Sequence, residues 1–179
     1  METSKTDDSA TKSLSTAFVA LRGALYAACF VWLWGWLAVS VRRLDGWIAV
    51  PLPEWLRGPG YLLAGAGALL AASCVLAFVT RGRGTPAPFD PPQRFVATGP
   101  YRYVRNPMYI GGALVMFGAA LVATSLSIVL LSFGFLLVMH VFVVGVEEPG
   151  LLRRFGDSYA TYRSEVHRWV VRLPRKTGE

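Results

Sequence analysis

Charge is what this chain of 179 residues has least of. Only 16% of it is Asp, Glu, Lys or Arg, where soluble domains carry roughly a quarter. Three long stretches have no charged residue at all: 23–41, 58–80 and 106–146. An ordinary water-soluble domain is therefore excluded, and so is a disordered chain, because 54% of the residues are hydrophobic. Cysteine is nearly absent. Cys29 and Cys74 both sit inside apolar runs, which argues against a disulfide scaffold or a zinc site. The formal net charge of +7 does not indicate nucleic acid. The basic residues stand at the ends of apolar runs instead of being spread over a folded surface.

What is present is a set of membrane-length segments. Gly23 to Val41 gives 19 uncharged residues, enough for a ~30 Å hydrocarbon core at ~1.5 Å per residue. It is longer than a signal-peptide core and rich in Trp. Gly58 to Thr80 is a second span. The 41 residues from Asn106 to Val146 are too many for one span and suit two antiparallel helices. Their turn is expected at Ala123-Thr124-Ser125-Leu126-Ser127, the most polar point. The fold expected is all-α: spans at about 23–41, 58–80, 106–124 and 127–146, a flexible cytoplasmic tail over 1–16, and a single membrane domain over 17–179. With four spans, one side holds 15 of the 18 basic residues, so both termini are expected in the cytoplasm. Trp47 and Trp55 fall in the opposite loop and suit an interfacial belt. The expected location is the cell's inner membrane, crossed several times.

The C-terminal segment has a helical period. Leu152, Phe155, Tyr159, Tyr162, Val166 and Trp169 recur every three or four residues, with Arg153, Arg154, Asp157, Arg163 and Arg168 on the other faces. An amphipathic helix over about 149–170 follows. It lies on the headgroups or caps a site at the end of the bundle.

Two clusters could carry chemistry. In Gly99-Pro100-Tyr101-Arg102-Tyr103-Val104-Arg105-Asn106-Pro107-Met108-Tyr109-Ile110-Gly111, Asn106 reads as a helix N-cap and Pro107 as the first helical residue. A helix entrance beside Arg102 and Arg105 suits a carboxylate or phosphate, or is simply a capped transmembrane helix with two interfacial arginines. The second cluster is Glu147-Glu148-Pro149. Adjacent carboxylates at a membrane boundary point to recognition of a cation. A short turn between the last two spans brings Asn106 and Glu147 to one membrane face. A ligand with a carboxylate and positive groups fits between them, as S-adenosylmethionine would. His140 reads as a residue making a structural hydrogen bond and His167 as interfacial. Gly65-Ala66-Gly67 has no preceding strand, so it is not a dinucleotide loop. With Ala64 and Ala68 it suits close helix packing.

Gly99-Pro100-Tyr101…Arg105-Asn106-Pro107-Met108-Tyr109-Ile110-Gly111, then Glu147-Glu148, then Leu152…Phe155-Gly156…Tyr159…Tyr162 resembles the integral-membrane methyltransferases. These include isoprenylcysteine carboxyl methyltransferases and phospholipid N-methyltransferases. The resemblance covers about 93–174 and implies S-adenosyl-L-methionine at the cytoplasmic end of the last two spans. It puts Val96, Tyr101, Asn106, Pro107, Met108 and Tyr109 against the cofactor, and Arg105 stands beside them. Glu147 takes the place of the family's cofactor-binding glutamate, and with Glu148 forms the candidate catalytic pair. Asn106 replaces the His common before this Pro. Val143 stands where prenylcysteine-specific enzymes have an acceptor-binding Arg, which disfavours a carboxylate acceptor. The expected activity is methylation of a lipid-like, membrane-embedded acceptor, with neither metal nor nucleic acid. The alternatives are a sterol-reductase-like NADPH enzyme and a small transporter or accessory protein. A transporter would place charge at mid-membrane, and these spans contain none.

Overall fold

In the computed structural model, residues 3–48, 50–78 and 97–172 are described, with only the backbone for 3–20 and Arg22. Among these residues every regular element is helical. Helix α1 runs Thr3–Val41, a 3-10 turn follows at Arg42–Leu44, and α2 is Asp45–Ile48. A second 3-10 turn, Glu54–Leu56, leads into α3, Arg57–Ala77. After the 3-10 turn Gly99–Arg102 come α4 (Pro107–Val122), α5 (Leu126–Phe142), a π-helical turn Val143–Glu147 and α6 (Glu148–Glu165). Three helical stretches are long and apolar enough to cross a membrane: Gly23–Ile48, Glu54–Ala77 and Leu126–Glu165. The fourth apolar helix, Pro107–Val122, is shorter at 16 residues. Helix α1 begins inside the segment read as a flexible tail. Adding residues to an existing helix is far easier than nucleating one, so the apolar run extends backwards into it.

Helices α3 and α4 pack antiparallel through small residues. A Cβ added at Gly67 would stand 2.6 Å from the Gly111 carbonyl oxygen, and one at Gly118 would stand 2.5 Å from the Ala64 nitrogen. The backbones themselves touch, so dispersion contact, the main attraction between helices in lipid, is at its closest there. Gly60, Ala64, Gly67 and Ala71 form the seam. Gly65, Ala66 and Ala68 are exposed on another face. Only part of the small-residue cluster therefore serves the packing expected of it.

The turn between α4 and α5 falls inside the expected segment. Ser125 N donates to Ala120 O at 3.0 Å and Thr124 N to Leu121 O at 3.1 Å, the two bonds of a Schellman C-cap. The left-handed position is filled by Thr124, φ 50°, where glycine is usual. Ser125 Oγ then accepts from Ile128 N at 3.2 Å as the N-cap of α5. Asp45 Oδ1 accepts from Ser127 N at 2.9 Å, placing a carboxylate at the positive end of α5. The end of α1, the start of α3 and the α4–α5 turn are thus at one end of the bundle. Ala77, the 99–106 segment and Glu147 are at the other.

The C-terminal helix is shorter than the 149–170 expected. It is interrupted at Gly156 (φ 52°, ψ −127°) and stops at Glu165. That conformation is open to glycine alone. Residues 166–172 then leave the helix as a bent, irregular segment beside 103–106, with Arg105 N donating to His167 O at 2.9 Å and Arg172 N to Tyr103 O at 2.7 Å. Backbone pairing with this segment replaces the last helical turn.

Candidate active site

The site end of the bundle is assembled by four segments: the 3-10 turn with its exit, the start of α4, the π turn, and 166–172. Tyr101, in the 3-10 turn, is buried against Cys74 and Ala77 of α3. Its ring meets Phe78 edge-on at 5.4 Å. Burial, with the Cys74 thiol alongside, pushes its phenol well above the ordinary value. Its carbonyl accepts from the Tyr162 hydroxyl at 2.7 Å, which ties α6 to the turn. Pro107 is buried as the first residue of α4 and Met108 packs on the Tyr101 cluster.

The π turn separates the two glutamates. A π turn holds more residues than an α turn, so the residues after it leave on a shifted face. Tyr109 donates its hydroxyl to Glu147 Oε2 at 2.9 Å. This is the only partner of Glu147 among the described residues. Glu148 is 7% exposed. Arg105 NH1 meets its Oε1 at 2.9 Å, while Arg168 binds it through two bonds, Nε to Oε1 at 2.7 Å and NH2 to Oε2 at 2.9 Å. Two guanidiniums answer one carboxylate, as a buried charge requires. The same bonds hold Arg168 above its ordinary value.

Three expectations change here. Asn106 occupies the N-cap position of α4, but its side chain does not cap the helix. Its Nδ2 donates instead to the Arg168 carbonyl at 3.2 Å. The cause is the irregular 166–172 segment, where the Arg168 carbonyl reaches an amide that would otherwise turn to the helix. Arg105 does not stand open beside the helix entrance, because Glu148 occupies its NH1. Its Nε is buried with no hydrogen-bond partner. Arg168 does not lie on the outer face of a helix: it is the main partner of Glu148. Val96 lies outside the described residues.

The structure thus brings Tyr109 and Glu147 into contact and sets Tyr101, Asn106, Pro107 and Met108 around the same end. The reading of the residues missed Arg168, Tyr162 and Trp169. For Arg168 a signal existed: Glu148, carried into the bundle end, needed a cation. The helical period hid the answer by assigning Arg168 to the polar face. His140 makes the hydrogen bond expected of it, Nδ1 accepting from Trp169 Nε1 at 3.0 Å.

The sequence profile of the phospholipid methyltransferases matches residues 56–158. The chain belongs to the phospholipid methyltransferase family. The matched region runs from the start of α3 through the glutamate pair into α6, and so contains the seam, Tyr101 to Tyr109 and both carboxylates. With its apolar helices, the chain is a membrane methyltransferase of the phospholipid and isoprenylcysteine type. Comparison with curated proteins and with solved structures gives no significant match.

Proposed function

We propose that this protein uses S-adenosylmethionine to methylate a lipid-like acceptor, with an amine favoured over a carboxylate. The observation that carries the reading is the inequality of the two glutamates. Glu148 is saturated by two arginines. Glu147 is half-buried and has one neutral partner, Tyr109, among the described residues. A carboxylate at a membrane boundary without a protein cation is costly unless a ligand supplies one. The cofactor carries an ammonium and a sulfonium, so its charge fits Glu147.

When bound, S-adenosylmethionine supplies an electrophilic methyl group. The protein's part is alignment and exclusion of water. Glu147 holds the cation, with Tyr109 fixing Oε2. The 101–109 segment forms the adjoining wall. Glu147 is also the carboxylate free to accept the proton that an ammonium acceptor must lose before its nitrogen becomes a nucleophile. Glu148 positions this arrangement by joining Arg105 at the entrance of α4 to Arg168 in the C-terminal segment. Val143 is fully buried, and the π turn Val143–Glu147 itself supplies no cation for an acceptor carboxylate. We further propose four membrane spans, with α4 as the short one, and the 99–106 and Glu147 end at the cytoplasmic face of the inner membrane, as the basic residues require.

The test is methyl transfer by the purified protein from isotopically labelled S-adenosylmethionine. A farnesylcysteine analogue and aminophospholipid vesicles are offered in parallel and the products read by mass spectrometry. Label in lipid amines is expected. Methyl ester on the farnesylcysteine analogue, with none on lipid amines, would reverse the acceptor assignment. No label in any acceptor, together with no cofactor binding in calorimetry, would reject the reading.

A further inference from the structure

His140 is the one side chain of α5 able to carry a charge, and it is exposed on the helix surface. Its Nδ1 accepts the indole N–H of Trp169 at 3.0 Å. That bond uses the Nδ1 lone pair, so the ring hydrogen is on Nε2. Nε2 has no partner among the described residues. An imidazole N–H on the surface of an apolar helix is unfavourable unless something there accepts its hydrogen bond.

The imidazole is held in place rather than loosely attached. Trp169 packs on the buried cluster of Ala113, Phe135 and Met139, with Tyr109 against the same cluster. The preceding residue, Arg168, is fixed to Glu148 by two hydrogen bonds. His140 is therefore tied to the framework that carries Glu147.

The direction along α5 identifies the ligand. His140 precedes Glu147 by seven residues, about 10 Å along the axis at ~1.5 Å per residue. It lies on the side of the bundle interior, and Glu147 on the side of the bundle end. An aminophospholipid in the leaflet at that end has the same order: amine outermost, phosphate behind it, then glycerol and chains. A lipid whose amine reaches Glu147 brings its phosphate back toward His140. We infer that His140, held by Trp169, binds the phosphate of the acceptor and selects phospholipid amines over amines that lack a phosphate. This rests on the methyltransferase reading above.

The experiment uses the full-length protein in detergent and measures binding by native mass spectrometry. The two probes are phosphatidylethanolamine and a long-chain primary amine without phosphate. His140→Ala is expected to weaken phosphatidylethanolamine binding about tenfold or more, the loss of one charge-assisted hydrogen bond, and to leave the simple amine unchanged. His140→Gln, which restores an N–H donor, is expected to recover most of it. Trp169→Phe keeps the aromatic packing, frees the ring to turn, and should give an intermediate loss. In methyl transfer the same variants should raise KM for phosphatidylethanolamine and leave kcat and cofactor affinity in place. Equal losses for both probes, or no loss for phosphatidylethanolamine, would overturn the inference. So would reduced cofactor affinity and a lowered unfolding temperature in every variant, which would make the pair a strut. If no amine is methylated while His140-dependent binding of phosphatidylethanolamine persists, the amine-acceptor reading fails and the phosphate site stands.

Discussion

The α3–α4 contact and the α1–α5 contact are built in opposite ways. Between α3 and α4, glycines bring backbone against backbone, and no side chain there can grow without pushing the helices apart. Between α1 and α5, the contact is aromatic. Trp34 stands edge-on to Phe135 at 4.8 Å and Phe30 to the same ring at 6.1 Å, while Trp32 and Trp36 stack on each other in an exposed position. A glycine seam fixes separation and register together. A few ring contacts fix a direction and leave most of the apolar stretch after Gly23 uncovered. The family match follows the same division, since it begins at residue 56 and leaves α1 out. The site lies in the half that the family match covers.

The site repeats this contrast on a smaller scale, with Glu148 closed and Glu147 open. Glu148→Ala should have the largest effect, because it leaves Arg105, whose side chain is 11% exposed, as an unpaired buried cation. Loss of one partner of a buried pair costs about 3–5 kcal/mol. Thermal unfolding in detergent reads it, and an unchanged midpoint would show that the clasp is not structural. Gly118→Val comes next, at about 3 kcal/mol for a clash that only backbone movement relieves. Gly65→Ala, on the open face of the same helix pair, should be neutral or stabilising by about 0.5–1 kcal/mol. Similar midpoints for Gly118→Val and wild type would remove the seam as the rigid element.

Glu147→Ala should act on the site and leave the fold in place. Calorimetry is expected to show S-adenosylmethionine binding weaker by about 1.5–3 kcal/mol, as for a hydrogen bond to a charged group, with unfolding unchanged. If Glu147→Ala unfolds like Glu148→Ala, the open and closed roles are wrongly divided. Trp34→Ala should be the mildest of the destabilising changes, at about 1 kcal/mol. An aromatic pair is worth ~0.5–1.5 kcal/mol beyond burial, and in lipid the exposed surface carries no hydrophobic penalty. A loss as large as that of Gly118→Val would erase the distinction between the two contacts.

By itself the sequence determined the helical class, the lengths of the apolar runs and the turn at 123–127. It also determined that Asn106 and Glu147 stand at the same end. All of these are local or follow from a single short connection: uncharged runs must span or be buried, and a short turn leaves its helices antiparallel. Tertiary structure alone decided which glutamate is open. The Val143–Glu147 π turn changes the facing of two adjacent residues, and no hydrophobic period records such an insertion. It also decided that Arg168 leaves the helical pattern to reach Glu148, twenty positions back in the chain. It turned the Asn106 amide to a carbonyl sixty-two positions away instead of to its own helix. A carboxylate carried into the bundle end must find a cation, but which cation reaches it depends on where Gly156 bends α6 and where the chain stops being helical. Those are outcomes of packing the C-terminal segment against 101–106, and a one-dimensional pattern holds no record of them.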